Sequence, residues 1–311
     1  MAGRESAPAG AGAARLTVFG RCSPFPGTNG HCPGYLLEAD GVKVLVDCGP
    51  GTLARLAGVL KPGLGPATGR PPTTRPPTTE SPFAGLDAVV ISHLHADHFS
   101  EALSLRYAIA ADIRGGFRRG LLPVHLPPGP AAERDILAYP KAFELRTIDE
   151  GTPLTLGPFS FGFRRTNHPV DCLAMRISAG RSTVVYTADT AWDDGLLAWA
   201  AGTAPAGQTS RPTAVPDVLL VEASLQDASA HLRDLGHLTA REAGRFARLC
   251  GARRSLLVHL YPEFDFEVSR REAVEGYHQA GGDAPGRSLA AAGPTPGAPP
   301  VIPTEGETFQ W

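Results

Sequence analysis

The sequence predicts an α/β protein of two halves, each a mixed sheet covered by helices. Short apolar, β-branched runs alternate with segments of helical periodicity along most of the chain. The residues able to do chemistry fall where those runs stop. The strongest instance is residues 87–99 (D-A-V-V-I-S-H-L-H-A-D-H-F), where a buried-strand pattern ends in three histidines and an aspartate within six positions.

Composition narrows the function classes. The chain has 311 residues and is 42% hydrophobic, enough for a sizeable core. A net charge of −2 gives no global pull toward nucleic acid or an anionic membrane, although Arg114, Arg118 and Arg119 form a local basic group. The five cysteines are scattered and never form C-x-x-C, so neither a disulfide framework nor a zinc knuckle is expected. Reduced thiols in a cytoplasmic protein are the simplest reading. Residues 1–14 are expected to be a flexible N-terminus; they lack the leucine-type core of a signal peptide. No apolar run reaches spanning length, so no membrane partner is expected.

In chain order, residues 15–20 form a short strand, followed by a glycine- and proline-rich loop, 21–34. Residues 35–39 and 42–47 pair as a hairpin, because Asp40-Gly41 is a good two-residue turn. Leu53, Leu56, Ala57 and Leu60 then have helical spacing. Residues 61–82, rich in Pro, Thr and Gly, are expected to be a mobile insertion. Residues 100–111 read as a helix with Leu103, Tyr107 and Ala110 on one face. Residues 121–126 read as a strand carrying His125, which has no motif around it and is taken as structural. Residues 159–166 alternate as a half-buried strand and deliver Asn167-His168-Pro169-Val170. A second hairpin around Gly180 (175–178 and 183–187) ends in Ala188-Asp189-Thr190. After a Gly- and Pro-rich stretch, 202–216, a short buried strand (218–221) leads to Glu222-Ala223-Ser224. Gly236-His237-Leu238-Thr239 opens a helix over 240–250; 255–260 is a strand carrying His259, and 268–279 is helical. The domain is therefore expected over 15–279, with a flexible linker at 280–300 and 301–311 as the candidate final strand.

Residues two apart on an extended chain share a side, so His93 and His95 converge on one point. The turn that follows lets Asp97 and His98 face a second point. Imidazole and carboxylate suit zinc and other first-row divalent ions. The alternative is a histidine-rich strand end without a metal, but buried imidazoles and a carboxylate at this density need partners. Other readings also stay open elsewhere: a turn aspartate for Asp47, a capping or surface histidine for His237.

The H-x-H-x-D-H run, D-C-G at 47–49, H-P-V at 168–170, A-D-T at 188–190 and His259 occur in an order that resembles the metallo-β-lactamase-fold hydrolases. The resemblance spans residues 15 to about 279 and implies a four-layer αββα sandwich. It implies one metal on His93, His95, His168 and Asp189, and a second on Asp97, His98, His259 and the same bridging Asp189. Asp47 would support the metal-binding loop. An alanine replaces the glycine of the family's G-D-T, and the aspartate argues against the cysteine-bearing, antibiotic-degrading branch.

E-A-S at 222–224 and G-H-L-T at 236–239 look like segments of the ribonuclease Z-like branch, which cleaves phosphodiesters. There the histidine protonates the leaving group, backed by the glutamate; these roles would fall to His237 and Glu222. The resemblance implies two divalent metal ions, with zinc the first expectation and manganese or iron accepted by the same ligands; the pair would lower the pKa of a shared water, and Asp97 joins His237 and Glu222 as a catalytic candidate. The basic arm that grips transfer RNA has no counterpart between Asp189 and Glu222, where Arg211 is the one basic residue. The H-P-V, D-C-G and E-A-S contexts look most like bacterial cyclic AMP phosphodiesterases, so a small cyclic nucleotide is the expected substrate. Transfer-RNA 3′ processing and thioester or lactone hydrolysis are the competing readings. Relatives are often homodimers; the oligomeric state stays open.

Overall fold

The computed structural model describes residues 13–28, 30–60, 80–203, 215–282 and 297–311. Residues 1–12, Asn29, 61–79 of the insertion, 204–214 (with Arg211) and 283–296 of the linker lie outside the described residues.

The first half runs β1 (Arg15–Gly20), β2 (Gly34–Ala39), β3 (Val42–Val46), α1 (Thr52–Leu60), β4 (Ala88–Val90), the single turn α2 (Ala96–Phe99), α3 (Ala102–Gly115), β5 (Leu122–Leu126), α4 (Ala131–Leu137) and β6 (Phe143–Thr147). The second half runs β7 (Leu154–Leu156), β8 (Phe159–Arg165), β9 (Leu173–Ala179), β10 (Ser182–Tyr186), α5 (Asp194–Ala200), β11 (Val218–Glu222), a 3₁₀ segment (Asp227–Leu235), α6 (Ala240–Cys250), β12 (Arg254–Val258) and α7 (Phe266–Gly282). β13 (Thr308–Gln310) returns to the first sheet and pairs antiparallel with β1. Among the described residues the sheet orders are β13-β1-β2-β3-β4-β5-β6 and β12-β11-β10-β9-β8-β7.

The central strands are buried on both faces, so successive residues serve different layers. On β3, Val44 and Val46 join the core between the sheets while Leu45 joins the core under the helices. On β11, Val218 and Leu220 face inward and Leu219 and Val221 face α5 and α6. Phe159, Phe161 and Phe163 of β8 meet Leu16, Val18 and Leu37 of the first sheet in the inner layer. Fully burying each such side chain stabilises the fold by roughly 1.5–3 kcal/mol, so this layer holds the halves together. Leu105 and Ile109 seal one outer layer, and Leu196, Phe246 and Ala273 the other. The result is the αββα sandwich.

Three expectations change. The buried stripe of α3 is Ala102, Leu105, Ile109 and Asp112, not the one through Tyr107, which is 58% exposed. Both stripes satisfy helical spacing; the buried one ends in Asp112, whose carboxylate accepts from the Ser81 N–H and hydroxyl. That contact anchors the end of the insertion at Ser81, which is therefore held rather than free. Arg118 donates to the carbonyls of Ala84 and Leu86, which makes it a structural residue of the local basic group.

β3, β4 and β5 are mutually parallel, as are β10, β11 and β12. Their C-terminal ends carry the loops that bring the predicted residues together. No helix among the described residues is long and apolar enough to cross a membrane.

Candidate active site

Every candidate residue except His237, which sits between the 3₁₀ segment and α6, lies at or just past the end of a strand. Asp47 follows β3, the 93–98 run follows β4, His168 follows β8, Asp189 follows β10, Glu222 ends β11 and His259 follows β12. Asp47, Ala188 and His259 have positive φ values of 58°, 51° and 58°. This conformation costs a residue with a side chain roughly 1–2 kcal/mol. Three of the four described non-glycine residues in it sit at this site, where the turns aim side chains inward. Ala188 thus holds a conformation that favours the glycine it replaces.

The side chains form two adjoining groups. In the first, His95 Nδ1 lies 3.1 Å from both His93 Nε2 and His168 Nε2, and Asp189 Oδ2 lies 3.3 Å from His93 Nε2. In the second, His98 Nε2 and His259 Nε2 are 3.1 Å apart, with Asp97 Oδ2 3.4 Å from each. Asp189 Oδ1 turns to this second group, 3.1 Å from His259 Nε2. One carboxylate therefore offers one oxygen to each group.

The hydrogen bonds behind the rings determine what faces inward. His98 Nδ1 donates to Asp47 Oδ2 (2.8 Å) and His168 Nδ1 donates to the Gly236 carbonyl (3.1 Å). Ser92 Oγ donates to Asp47 Oδ2 and so accepts from His93 Nδ1; Ser224 Oγ donates to Glu222 Oε2 and so accepts from His259 Nδ1 (2.7 Å). Each outer nitrogen then carries the proton, and the Nε2 lone pairs of His93, His98, His168 and His259 point into the site. Lone pairs of His98 and His259 facing each other at 3.1 Å repel unless a cation lies between them. Asp189 Oδ1 is buried with no hydrogen-bond partner among the described residues. Converging lone pairs and an orphaned buried carboxylate oxygen fit a pair of divalent ions.

The electrostatics agree. Burial pulls the His98 and His259 pKa values down, but Asp189 and Asp97 outweigh it, raising His98 well above its ordinary value and His259 to about 10. Burial raises Asp97 and Asp189, yet the imidazoles hold both well below the usual carboxylate range. His93, desolvated and beside His98, is lowered to about 3. The carboxylates call for positive charge at this point, and bound cations supply it.

Asp47 is fully buried and accepts from Ser92 N and Oγ, His98 Nδ1 and Tyr186 Oη. Glu222 is fully buried as well. Its Oε1 accepts from Thr190 N and His237 Nδ1, both at 2.9 Å, and its Oε2 from Ser224 N and Oγ. His237 thus hangs from Glu222 beside the second group, its ring stacked 5.3 Å from that of His259. Burial lowers its pKa but Glu222 raises it further, for a net upward shift. His125 belongs to neither group; it is buried in β5 and lowered to about 4 by desolvation, with Arg146 adding to the effect.

Four contributors were not singled out from the sequence. Ser23 donates to Asp97 Oδ2 at 2.6 Å; Ser92 and Ser224 link an imidazole to a carboxylate by hydrogen bonds as described, and Tyr186 braces Asp47. Ser224 and Ser92 sit inside recognised motifs, which is the signal available for them. Ser23, in a loop 74 residues from Asp97, has none.

Residues 42–260 match the Beta-lactamase superfamily domain. The chain is 32% identical to the probable metallo-hydrolase YhfI of Bacillus subtilis, over 84% of this chain and 92% of that protein. It is 26% identical to the ribonuclease Z of Bradyrhizobium diazoefficiens, over 83% and 93% respectively. The crystal structure of the metallo-β-lactamase fold protein YhfI from Bacillus subtilis superposes with a TM-score of 0.74 at 27% identity, covering 96% of this chain and all of that one. A match across most of the chain, the αββα layers and the paired His/Asp groups make this chain a member of the β-lactamase superfamily, a metal-dependent hydrolase of the ribonuclease Z-like kind.

Proposed function

We propose that the chain is a phosphodiesterase that hydrolyses a small cyclic nucleotide such as 3′,5′-cyclic AMP. The observation that carries this reading is the Glu222–His237 pair, held at 2.9 Å beside the second His/Asp group. Hydrolysis of an unactivated diester releases a poor alkoxide leaving group, which needs a proton; a thioester releases a thiolate, which has less need of such a donor. Similarity to a ribonuclease Z supports diester chemistry. The pocket beside His168 and His237, about 460 Å³, suits one nucleotide, which supports a small substrate.

In this reading His93, His95, His168 and Asp189 hold one ion, and Asp97, His98, His259 and Asp189 the other, with zinc as the first choice. Such a pair, when bound, supplies a water of lowered pKa and offsets charge building on the phosphoryl oxygens. Asp47 keeps the His98 ring in the tautomer that presents Nε2, and Ser23 fixes the rotamer of Asp97. Glu222 occupies His237 Nδ1, so Nε2 is the atom that passes a proton to the departing oxygen.

The test is a panel of zinc- or manganese-loaded enzyme against bis-p-nitrophenyl phosphate, 3′,5′-cyclic AMP, 2′,3′-cyclic nucleotides and precursor transfer RNA. Cleavage of cyclic AMP is expected. Cleavage of precursor transfer RNA alone would transfer the assignment to RNA processing, and failure on every diester would end the phosphodiesterase reading.

Gly236 gives a sharper check on the His168 assignment. Its φ is +87°, and a Cβ there would lie 2.7 Å from Pro169 Cδ and 2.9 Å from His168 Nδ1. Gly236→Ala should displace the His168 ring and weaken metal affinity by about 10–100-fold, read by competition with a chromogenic chelator. Unchanged affinity would remove His168 from the ligand set.

A further inference from the structure

The pocket next to the site is built unlike a phosphate site. Trp192 and Pro169 supply apolar walls, and Asn167 and Asp234 supply polar groups, with His168 and His237 at the end nearest the His/Asp groups. Arg233 also lines it, but pairs with Glu242 at 3.0 Å, which cancels the cation's pull on an anion. Asp234 has no ion-pair partner among the described residues. An uncompensated carboxylate repels phosphate and attracts an N–H donor.

Trp192 is held in place before any ligand arrives. Its Nε1 donates to Asp194 Oδ1 at 3.0 Å, and its ring meets Phe246 edge-on at 6.1 Å. The Arg245 guanidinium lies 4.6 Å from the ring centroid. A fixed aromatic surface loses little conformational freedom on stacking and accepts any flat heteroaromatic ring.

We propose that this pocket is the nucleobase subsite, with Trp192 as the stacking surface and Asp234 as the acceptor for an exocyclic amine of the base. The proposal rests on the phosphodiesterase reading for its setting and deepens it by naming the substrate's second anchor. It favours bases that carry an amine, such as adenine, over bases that lack one.

The experiment is calorimetric titration of the metal-loaded protein with adenosine 5′-monophosphate, inosine 5′-monophosphate and ribose 5-phosphate. Adenosine monophosphate is expected to bind at least about ten-fold more tightly than ribose 5-phosphate, the effect of one stacked base. Trp192→Ala should erase that difference and Trp192→Phe should keep most of it. Asp234→Asn should weaken adenosine monophosphate more than inosine monophosphate. Equal binding of adenosine monophosphate and ribose 5-phosphate by the unmodified protein would overturn the subsite. So would a Trp192→Ala protein that loses both ligands in proportion, since that pattern marks a merely structural tryptophan. Tight, base-dependent binding without hydrolysis of any diester would instead sink the phosphodiesterase reading and leave the subsite standing.

Discussion

Asp189→Ala is expected to lower turnover by about three to four orders of magnitude and to leave fewer than one tightly bound metal equivalent per chain. The carboxylate places Oδ2 3.3 Å from His93 Nε2 and Oδ1 3.1 Å from His259 Nε2, so a single truncation strips a donor from both groups. Metal ions contribute several kcal/mol of transition-state stabilisation, and each 1.36 kcal/mol is a factor of ten in rate. Asp189 is only 2% exposed, and a change there could instead disturb packing. Asp189→Asn separates the two: it keeps the shape and removes the charge, so it should keep native circular dichroism and still lose metal. If Asp189→Ala retains two equivalents per chain by atomic absorption, the bridging role is wrong.

The elements that position this site were legible because their signals are local. β4 and its histidines lie within one short stretch, and β11 and β12 read as buried runs from their composition alone. What escaped depends on contacts that no spacing encodes. β6 has one buried residue, Phe143, along Phe143–Thr147 and sits at the sheet edge, so neither alternation nor a continuous apolar run marks it. β7 is three residues long and owes its existence to pairing with β8. α5 begins with Asp193 capping Gly195 and Leu196, a signal hidden by the glycine beside it.

The site divides the same way. The clustered histidines and aspartates are few and conspicuous, while the groups orienting them are common residues in uninformative places. Asp47 and His98 are 51 positions apart, and Tyr186 reaches Asp47 across 139. The sequence could suggest Asp47 from its D-C-G context, but not that four donors converge on it. Nor could it show that Ser224 couples Glu222 to His259, which ties the loop after β12 to the glutamate behind His237.

His237→Ala should reduce kcat on a cyclic nucleotide by about 10²–10⁴-fold while both metal equivalents remain. The geometry leaves one rival role to separate. A ring nitrogen of His237 lies close enough to Asp189 and His259 donor atoms to form a third potential metal group. Nδ1 is engaged by Glu222, so only Nε2 could either bind an ion or carry a proton. Metal content distinguishes these: a ligand's removal lowers it, a proton donor's does not. Leaving-group dependence distinguishes them a second time. The ribose alkoxide released from a cyclic nucleotide is strongly basic and needs the proton, whereas p-nitrophenolate departs readily without one. The His237→Ala penalty should therefore shrink on bis-p-nitrophenyl phosphate to a small fraction of its value on cyclic AMP. Glu222→Gln should fall between, because glutamine can still accept from Nδ1 but no longer favours the charged ring. An equal penalty on both substrates would rule out proton donation from His237, since a ligand or a packing residue would be missed to the same extent whatever group departs.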